Sequence, residues 1–263
     1  MIKLNINGYD QLVTFSTFPG GEEHVNMATG TLPQCPDWDV TVTARITSSS
    51  ELIRVLLLAD AILAYGRNIT GWALDLGYLP YARQDRICTR GESFSLRILC
   101  NLINSLNFDR VLIDDAHSDV GPALLNGVIN RSQADCMTTS RETHNLLITA
   151  DYIVAPDLGA AKKAEAVAAR YNLPVIQCMK TRVCRDILKV SVINAPHDLT
   201  ESNLVVVDDI CDGGGTFLAL AAVEEFQGVC ELNLVVTHGI FSKGKKILLN
   251  KYNNVEAVHD WTK

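Results

Sequence analysis

The stretch Leu204-Val205-Val206-Val207-Asp208-Asp209-Ile210-Cys211-Asp212-Gly213-Gly214-Gly215-Thr216-Phe217-Leu218 constrains the fold more than any other part of the chain. A short apolar run rich in β-branched valine and bounded by turn residues reads as a buried strand. Asp208 and Asp209 stand at the strand's C-terminal end, and a third carboxylate, Asp212, precedes three glycines and a threonine. Phe217 to Phe226 predicts a helix, with Leu218, Ala221, Ala222 and Phe226 on one side. Glycines let the backbone approach a ligand closely and turn several N–H groups inward. A following helix start favours an anion. The loop Asp212-Gly213-Gly214-Gly215-Thr216 is therefore a candidate phosphate cradle. Asp208 and Asp209 are candidates for ribose hydroxyls or a magnesium ion.

The rest of the chain suits this reading. With 263 residues, 48% hydrophobic and 20% charged, it can bury the cores of two modest domains or one large one. Even Leu52 to Ala64 is interrupted by Arg54 and Asp60, so no segment reaches the apolar length of a membrane span. The start Met1-Ile2-Lys3-Leu4-Asn5 lacks a signal-peptide pattern, and a cytoplasmic protein is expected. The eight cysteines form no C-x-x-C pair, which argues against zinc and for free thiols in a reducing compartment. A net charge of −7 argues against nonspecific nucleic-acid binding. Screening over about 8 Å still lets a local basic cluster govern an anionic substrate.

Strands alternate with helices along the chain, which argues for parallel sheets. Residues 1–17 predict two strands around a turn at Asn7-Gly8-Tyr9-Asp10. Phe18-Pro19-Gly20-Gly21-Glu22 is a turn by composition. Val40 to Ile46 alternates as a strand, Ser48-Ser49-Ser50-Glu51 offers a cap to a helix over Leu52 to Tyr65, and Ile69 to Leu76 is strand again. Gly77-Tyr78-Leu79-Pro80-Tyr81-Ala82-Arg83-Gln84-Asp85-Arg86 then lies on a strand-end loop, where α/β proteins place ligand sites. Arginine forks match phosphate oxygens, and Gln84 with Asp85 offers the donors and acceptors an adenine edge needs. Lys180 and Arg182 fall on an expected loop after a strand over Pro174 to Cys178, while Asp135 to Ala150 is polar and carries no clear element.

Pro80-Tyr81-Ala82-Arg83-Gln84-Asp85-Arg86 resembles the signature heptapeptide of the phosphoribosyl-diphosphate (PRPP) synthetases. Asp208 to Thr216 resembles the PRPP loop that these enzymes share with type I phosphoribosyltransferases. Val111-Leu112-Ile113-Asp114-Asp115-Ala116-His117, Pro156-Asp157-Leu158-Gly159-Ala160-Ala161-Lys162-Lys163-Ala164, Met179-Lys180-Thr181-Arg182 and Thr237-His238-Gly239-Ile240-Phe241-Ser242 are similar to further family motifs, in the family's order. Phe18-Pro19-Gly20-Gly21-Glu22 stands where the family has Phe-Ser-Asp-Gly-Glu.

The resemblance implies an α/β protein of two type I phosphoribosyltransferase-like domains with pseudo-symmetric parallel sheets, 1–130 and 131–263, the last segment packing back on the first domain. It implies transfer of the β,γ-diphosphoryl group of ATP to the anomeric hydroxyl of ribose 5-phosphate, in nucleotide biosynthesis. Lys180 and Arg182 would be catalytic. Phe18, Glu22, Arg83, Gln84, Asp85 and His117 would bind ATP. His117 and Asp157 would hold Mg2+. Asp208, Asp209, Asp212, Gly213, Gly214, Gly215 and Thr216 would bind the ribose phosphate. A homo-oligomer with the ATP site near a subunit interface is also implied. Four positions depart from the family: Gly20, Met179, Thr181 and Gly213, the last replacing a threonine of the phosphate loop. Loss of that hydroxyl keeps open an extended acceptor such as ADP-ribose, which would link the chain to NAD metabolism. A phosphoribosyltransferase and a non-catalytic, synthetase-associated regulatory protein are the other readings.

Overall fold

A computed structural model describes residues 1–182 and 188–262, with the side chains of Arg182 and Leu188 outside the description. The chain divides into two compact units, Met1–Arg131 and Ser132–Lys263.

The first unit opens with β1 (Ile2–Ile6) and β2 (Tyr9–Gln11), joined by a turn in which Asn7 and Gly8 both have positive φ. Such a two-residue turn matches the twist of the strands it joins. The hairpin β3 (Val13–Thr17) and β4 (Glu23–Met27) forms a separate two-stranded sheet. Then come β5 (Asp37–Ala44), α1 (Ser49–Ala64), β6 (Asn68–Gly77), α2 (Ser95–Asn104), β7 (Arg110–Asp114), α3 (Val120–Leu124) and β8 (Val128–Arg131). The six-stranded sheet has the order β2-β1-β5-β6-β7-β8, parallel from β5 to β8. Ser48 caps α1 by accepting the Glu51 N–H, and the Glu51 carboxylate accepts the Thr47 N–H at 2.6 Å. Leu52, Val55, Leu58, Ala59 and Ile62 then recur at helical spacing and are buried.

The second unit holds α4 (Gln133–Cys136), α5 (Arg141–Ile148), β9 (Tyr152–Ala155), α6 (Ala161–Tyr171), β10 (Val175–Arg182), β11 (Leu188–Val192), β12 (Asn203–Cys211), α7 (Gly215–Leu220), β13 (Glu231–Gly239), α8 (Lys246–Leu249) and β14 (Asn254–Asp260). Its six strands run in the order β11-β10-β9-β12-β13-β14, with only β11 antiparallel to its neighbour. Alternation along β12 sends Leu204 and Val206 into one apolar cluster and Val205 and Val207 into another. Strand β12 is thus buried on both faces, as its unbroken valine run requires. The closing residues 254–260 pair with β13 inside this unit.

Three local expectations are corrected. Lys180 and Arg182 lie on strand, not loop: β10 pairs with β9 only over Val175–Gln177, and its second half continues as an antiparallel ribbon with β11. The helix expected over Phe217 to Phe226 stops at Leu220, because Val223 turns extended and only a single 3-10 turn, Glu224–Phe226, follows; the buried Tyr252 hydroxyl donates to the Phe217 carbonyl at 2.7 Å beside the Ala221 N–H. The polar stretch Asp135 to Ala150 holds two short helices, whose starts are capped by Ser132 and Ser140.

Cys100, Cys136, Cys178 and Cys211 are buried free thiols, and burial pushes those of Cys178 and Cys211 up to about 12. They pack as small apolar groups. Cys184 lies outside the described residues.

Candidate active site

In the second unit the C-terminal ends of β9 and β12 bring together charges from four segments. β12 runs on through Asp208 and Asp209 to Cys211, so the two carboxylates belong to the strand rather than follow it. Asp209 is buried and faces the Lys163 ammonium of α6 at 3.6 Å. The Asp209 N–H donates to Asp208 Oδ1 at 2.9 Å. Burial, and then the negative charge of Asp209, push the Asp208 carboxyl well above the ordinary value, and Asp157 adds to the repulsion. Asp157 follows β9. Its Oδ1 accepts the Ala160 N–H at 3.1 Å, and its Oδ2 lies 2.5 Å from the Lys180 ammonium on β10. The backbone of Arg182 ends β10, while its side chain is outside the described residues.

The loop after β12 is shaped by close packing. Gly214 has φ +76, and a β carbon there would lie 3.1 Å from Leu248, so backbone and space both call for glycine. The Cys211 carbonyl accepts the N–H groups of Ile240 and Phe241, tying the segment after β13 to the end of β12. Gly239 makes room for the Phe241 ring, which would otherwise lie 2.1 Å from a β carbon. Thr216 is half-buried within α7. That helix has six residues, so its dipole is small.

In the first unit β6 leads into the Arg83-Gln84-Asp85-Arg86 loop. Tyr81 sits at φ 60 and its carbonyl accepts the Gln84 N–H. Asp85 is 5% exposed and its carboxylate is turned inward. It accepts from Arg86 Nε at 2.8 Å and Nη2 at 3.2 Å, and from the Ser118 hydroxyl at 2.7 Å. The Arg86 hydrogen bonds hold the Asp85 carboxyl below its ordinary value against burial. Ser118 follows His117 at the end of β7, so Asp85 and His117 are brought together. Arg83, Gln84 and His117 are exposed. Phe18 and Glu22 are exposed in the turn of the β3–β4 hairpin, where the Phe18 N–H donates to the Glu22 carbonyl and the Phe18 ring lies 5.4 Å from that of His24.

Sequence reading singled out neither Lys163 nor Ser118. Ser118 directly follows His117 and Lys163 lies within the Pro156 to Ala164 stretch, but only folding shows which carboxylate each meets.

Among the described residues no group of three His, Cys, Asp or Glu side chains is disposed to hold a metal. Magnesium is commonly held by one or two carboxylates together with water and substrate phosphates, and needs no such cage. Asp157, partly exposed at the end of β9 and near Asp208, is a carboxylate of the kind such an ion uses. No helix among the described residues is long and apolar enough to cross a membrane.

Two α/β units with mostly parallel sheets, and an acidic strand end running into a glycine loop, define a type I phosphoribosyltransferase-like fold. The crystal structure of phosphoribosylpyrophosphate synthetase from Mycobacterium smegmatis superposes with a TM-score of 0.74 at 22% identity, over 92% of this chain and 78% of that one. In sequence the chain is similar to ribose-phosphate pyrophosphokinases along most of its length. Those of Pyrococcus abyssi and Pyrococcus furiosus are each 28% identical, over 94% and 91% of this chain and 82% of their own. That of Mycoplasmopsis pulmonis is 30% identical over 78% of this chain and 64% of its own. No family model matches.

Proposed function

We propose that the chain is an ATP-dependent ribose-phosphate diphosphokinase. The anomeric oxygen of ribose 5-phosphate attacks the β-phosphorus of ATP. The bond from that phosphorus to the α,β-bridging oxygen breaks, AMP leaves with the oxygen, and the hydroxyl proton passes to solvent. Such a displacement depends mainly on positioning and on stabilising charge in the transition state.

The observation that carries this reading is the meeting of Lys180, Asp157, Asp208 and Asp209 at the C-terminal ends of β9 and β12. Asp208 and Asp209 hold the ribose hydroxyls, with the Lys163 ammonium facing Asp209 at 3.6 Å. The loop 212–216 receives the 5-phosphate. Lys180, close to Asp157 and on a ribbon, supplies positive charge to the transferring group, and Arg182 is its expected partner. Arg83, Gln84 and His117 contact the nucleotide, with Phe18 and Glu22 contributing from the hairpin of an associated copy. Asp85 acts by holding Arg86 and Ser118. A magnesium ion held by Asp157 or His117 together with ATP phosphates would neutralise phosphate charge.

The test is AMP release from MgATP with ribose 5-phosphate, with ADP-ribose and with no acceptor. Release dependent on ribose 5-phosphate supports the proposal. Release dependent only on ADP-ribose moves the acceptor to the extended one that Gly213 leaves open. No release with either points to the regulatory reading.

A further inference from the structure

Gly213 removes a hydroxyl from the proposed phosphate loop, and the fold brings another group to the same place. The two hydrogen bonds on the Cys211 carbonyl pin Ile240 and Phe241. The residues that follow them, Ser242 and Lys243, are thereby laid against Gly213. A β carbon on Gly213 would lie 3.6 Å from Lys243 Cε, 3.9 Å from its Cδ and 4.0 Å from Ser242 Oγ. These are ordinary contact distances, so the lysine methylenes flank the position a threonine would fill, with the ammonium one bond further out. Lys245, two residues on, is committed elsewhere: it reaches Asp260 at 3.2 Å and lies over the Phe241 ring.

We infer that Lys243 recognises the phosphoryl group on the acceptor's ribose 5-carbon, in place of the missing hydroxyl. The inference rests on the acceptor site proposed above. An ammonium is a full charge on a flexible stem, and it serves either a terminal monoester or the near phosphoryl of a diphosphate bridge. The shared chemistry is a phosphoryl oxygen just beyond the ribose. Gly213 lies outside the left-handed region, so a side chain there is conformationally permitted.

Calorimetry on the full chain with ribose 5-phosphate and with ADP-ribose tests this in wild type, Lys243→Met, Lys243→Arg and Lys243→Met/Gly213→Thr. AMP release is followed in parallel. Lys243→Met should weaken acceptor binding by about tenfold or more, the usual worth of a hydrogen bond to a charged group. The KM for ATP should stay as it was. Lys243→Arg should bind within a few-fold of wild type, and Gly213→Thr should recover part of the loss. A loss confined to ribose 5-phosphate identifies the terminal monoester; one confined to ADP-ribose identifies the bridge. Wild-type acceptor affinity in Lys243→Met overturns the inference. Acceptor binding without AMP release removes the transfer reading alone and leaves Lys243 to be judged by affinity. A wild type that binds neither acceptor overturns both.

Discussion

The Lys180 ammonium lies 2.5 Å from Asp157 Oδ2, so a proposed catalytic cation and a proposed metal ligand are each other's partners. Both are partly exposed, at 34% and 22%, and water screens the pair. Release of Lys180 toward a phosphoryl group therefore costs little. Asp157 would then lose its cationic partner beside Asp208, where a phosphate-borne cation is the natural replacement.

If Lys180 acts on charge that develops during transfer, its loss should be felt in turnover. Removal of one electrostatic contact of this type costs about 10²–10³ in kcat. Lys180→Ala should show that loss with little change in KM for ATP. Near-normal steady-state turnover would reject the catalytic role.

Asp157→Asn separates the metal role from the lysine role. It removes a carboxylate and frees Lys180 to meet nucleotide phosphates. MgATP should bind more weakly than to wild type, while ATP in the presence of chelator should bind as well or better. Calorimetry under the two conditions reads both signs. Equal MgATP affinity in wild type and variant would exclude Asp157 as a metal ligand.

Asp208→Asn should stabilise the fold while lowering the proposed activity. The folded state raises the Asp208 pKa above its ordinary 3.8, so the native protein holds this proton more tightly than the unfolded chain does. Stability from this group is complete below pH 3.8 and is lost as pH rises through the folded value. Asparagine does not titrate and avoids that loss. A difference of 1 kcal/mol moves the Tm of a protein of 150–250 residues by about 2–4 °C. The Tm advantage of the variant should therefore widen from acid to neutral pH. A variant less stable than wild type at neutral pH would show that Asp208 is not under net repulsion.

Much of this site was legible before folding because its residues are contiguous. The valine run, Asp208, Asp209 and the glycines announce strand, charge and loop within one stretch, and the Ser48–Glu51 cap announces α1. The extent of β10 was hidden, because its second half is polar and is strand only through pairing with β11. The short helices after Ser132 and Ser140 were hidden by their lack of apolar periodicity. Pairings across long separations were also out of reach: nothing in the order of residues says that Lys163 meets Asp209, or that Lys243 lies against Gly213.

The Asp85–Ser118 hydrogen bond of 2.7 Å gives the first unit its own test. It joins the loop that carries Arg83 and Gln84 to the one that carries His117. A hydrogen bond to a buried carboxylate is worth about 1.5–3 kcal/mol, so Ser118→Ala should let the two loops drift apart. The KM for ATP should rise about tenfold while kcat at saturating ATP changes little, since Ser118 itself touches no reacting atom. Asp85→Asn should disturb both Arg86 and Ser118 and cost more. In the double variant the Ser118 replacement should add little, because its partner is already altered. Steady-state kinetics over the four proteins gives the coupling. Fully additive effects on KM would mean that the two loops hold their nucleotide contacts independently.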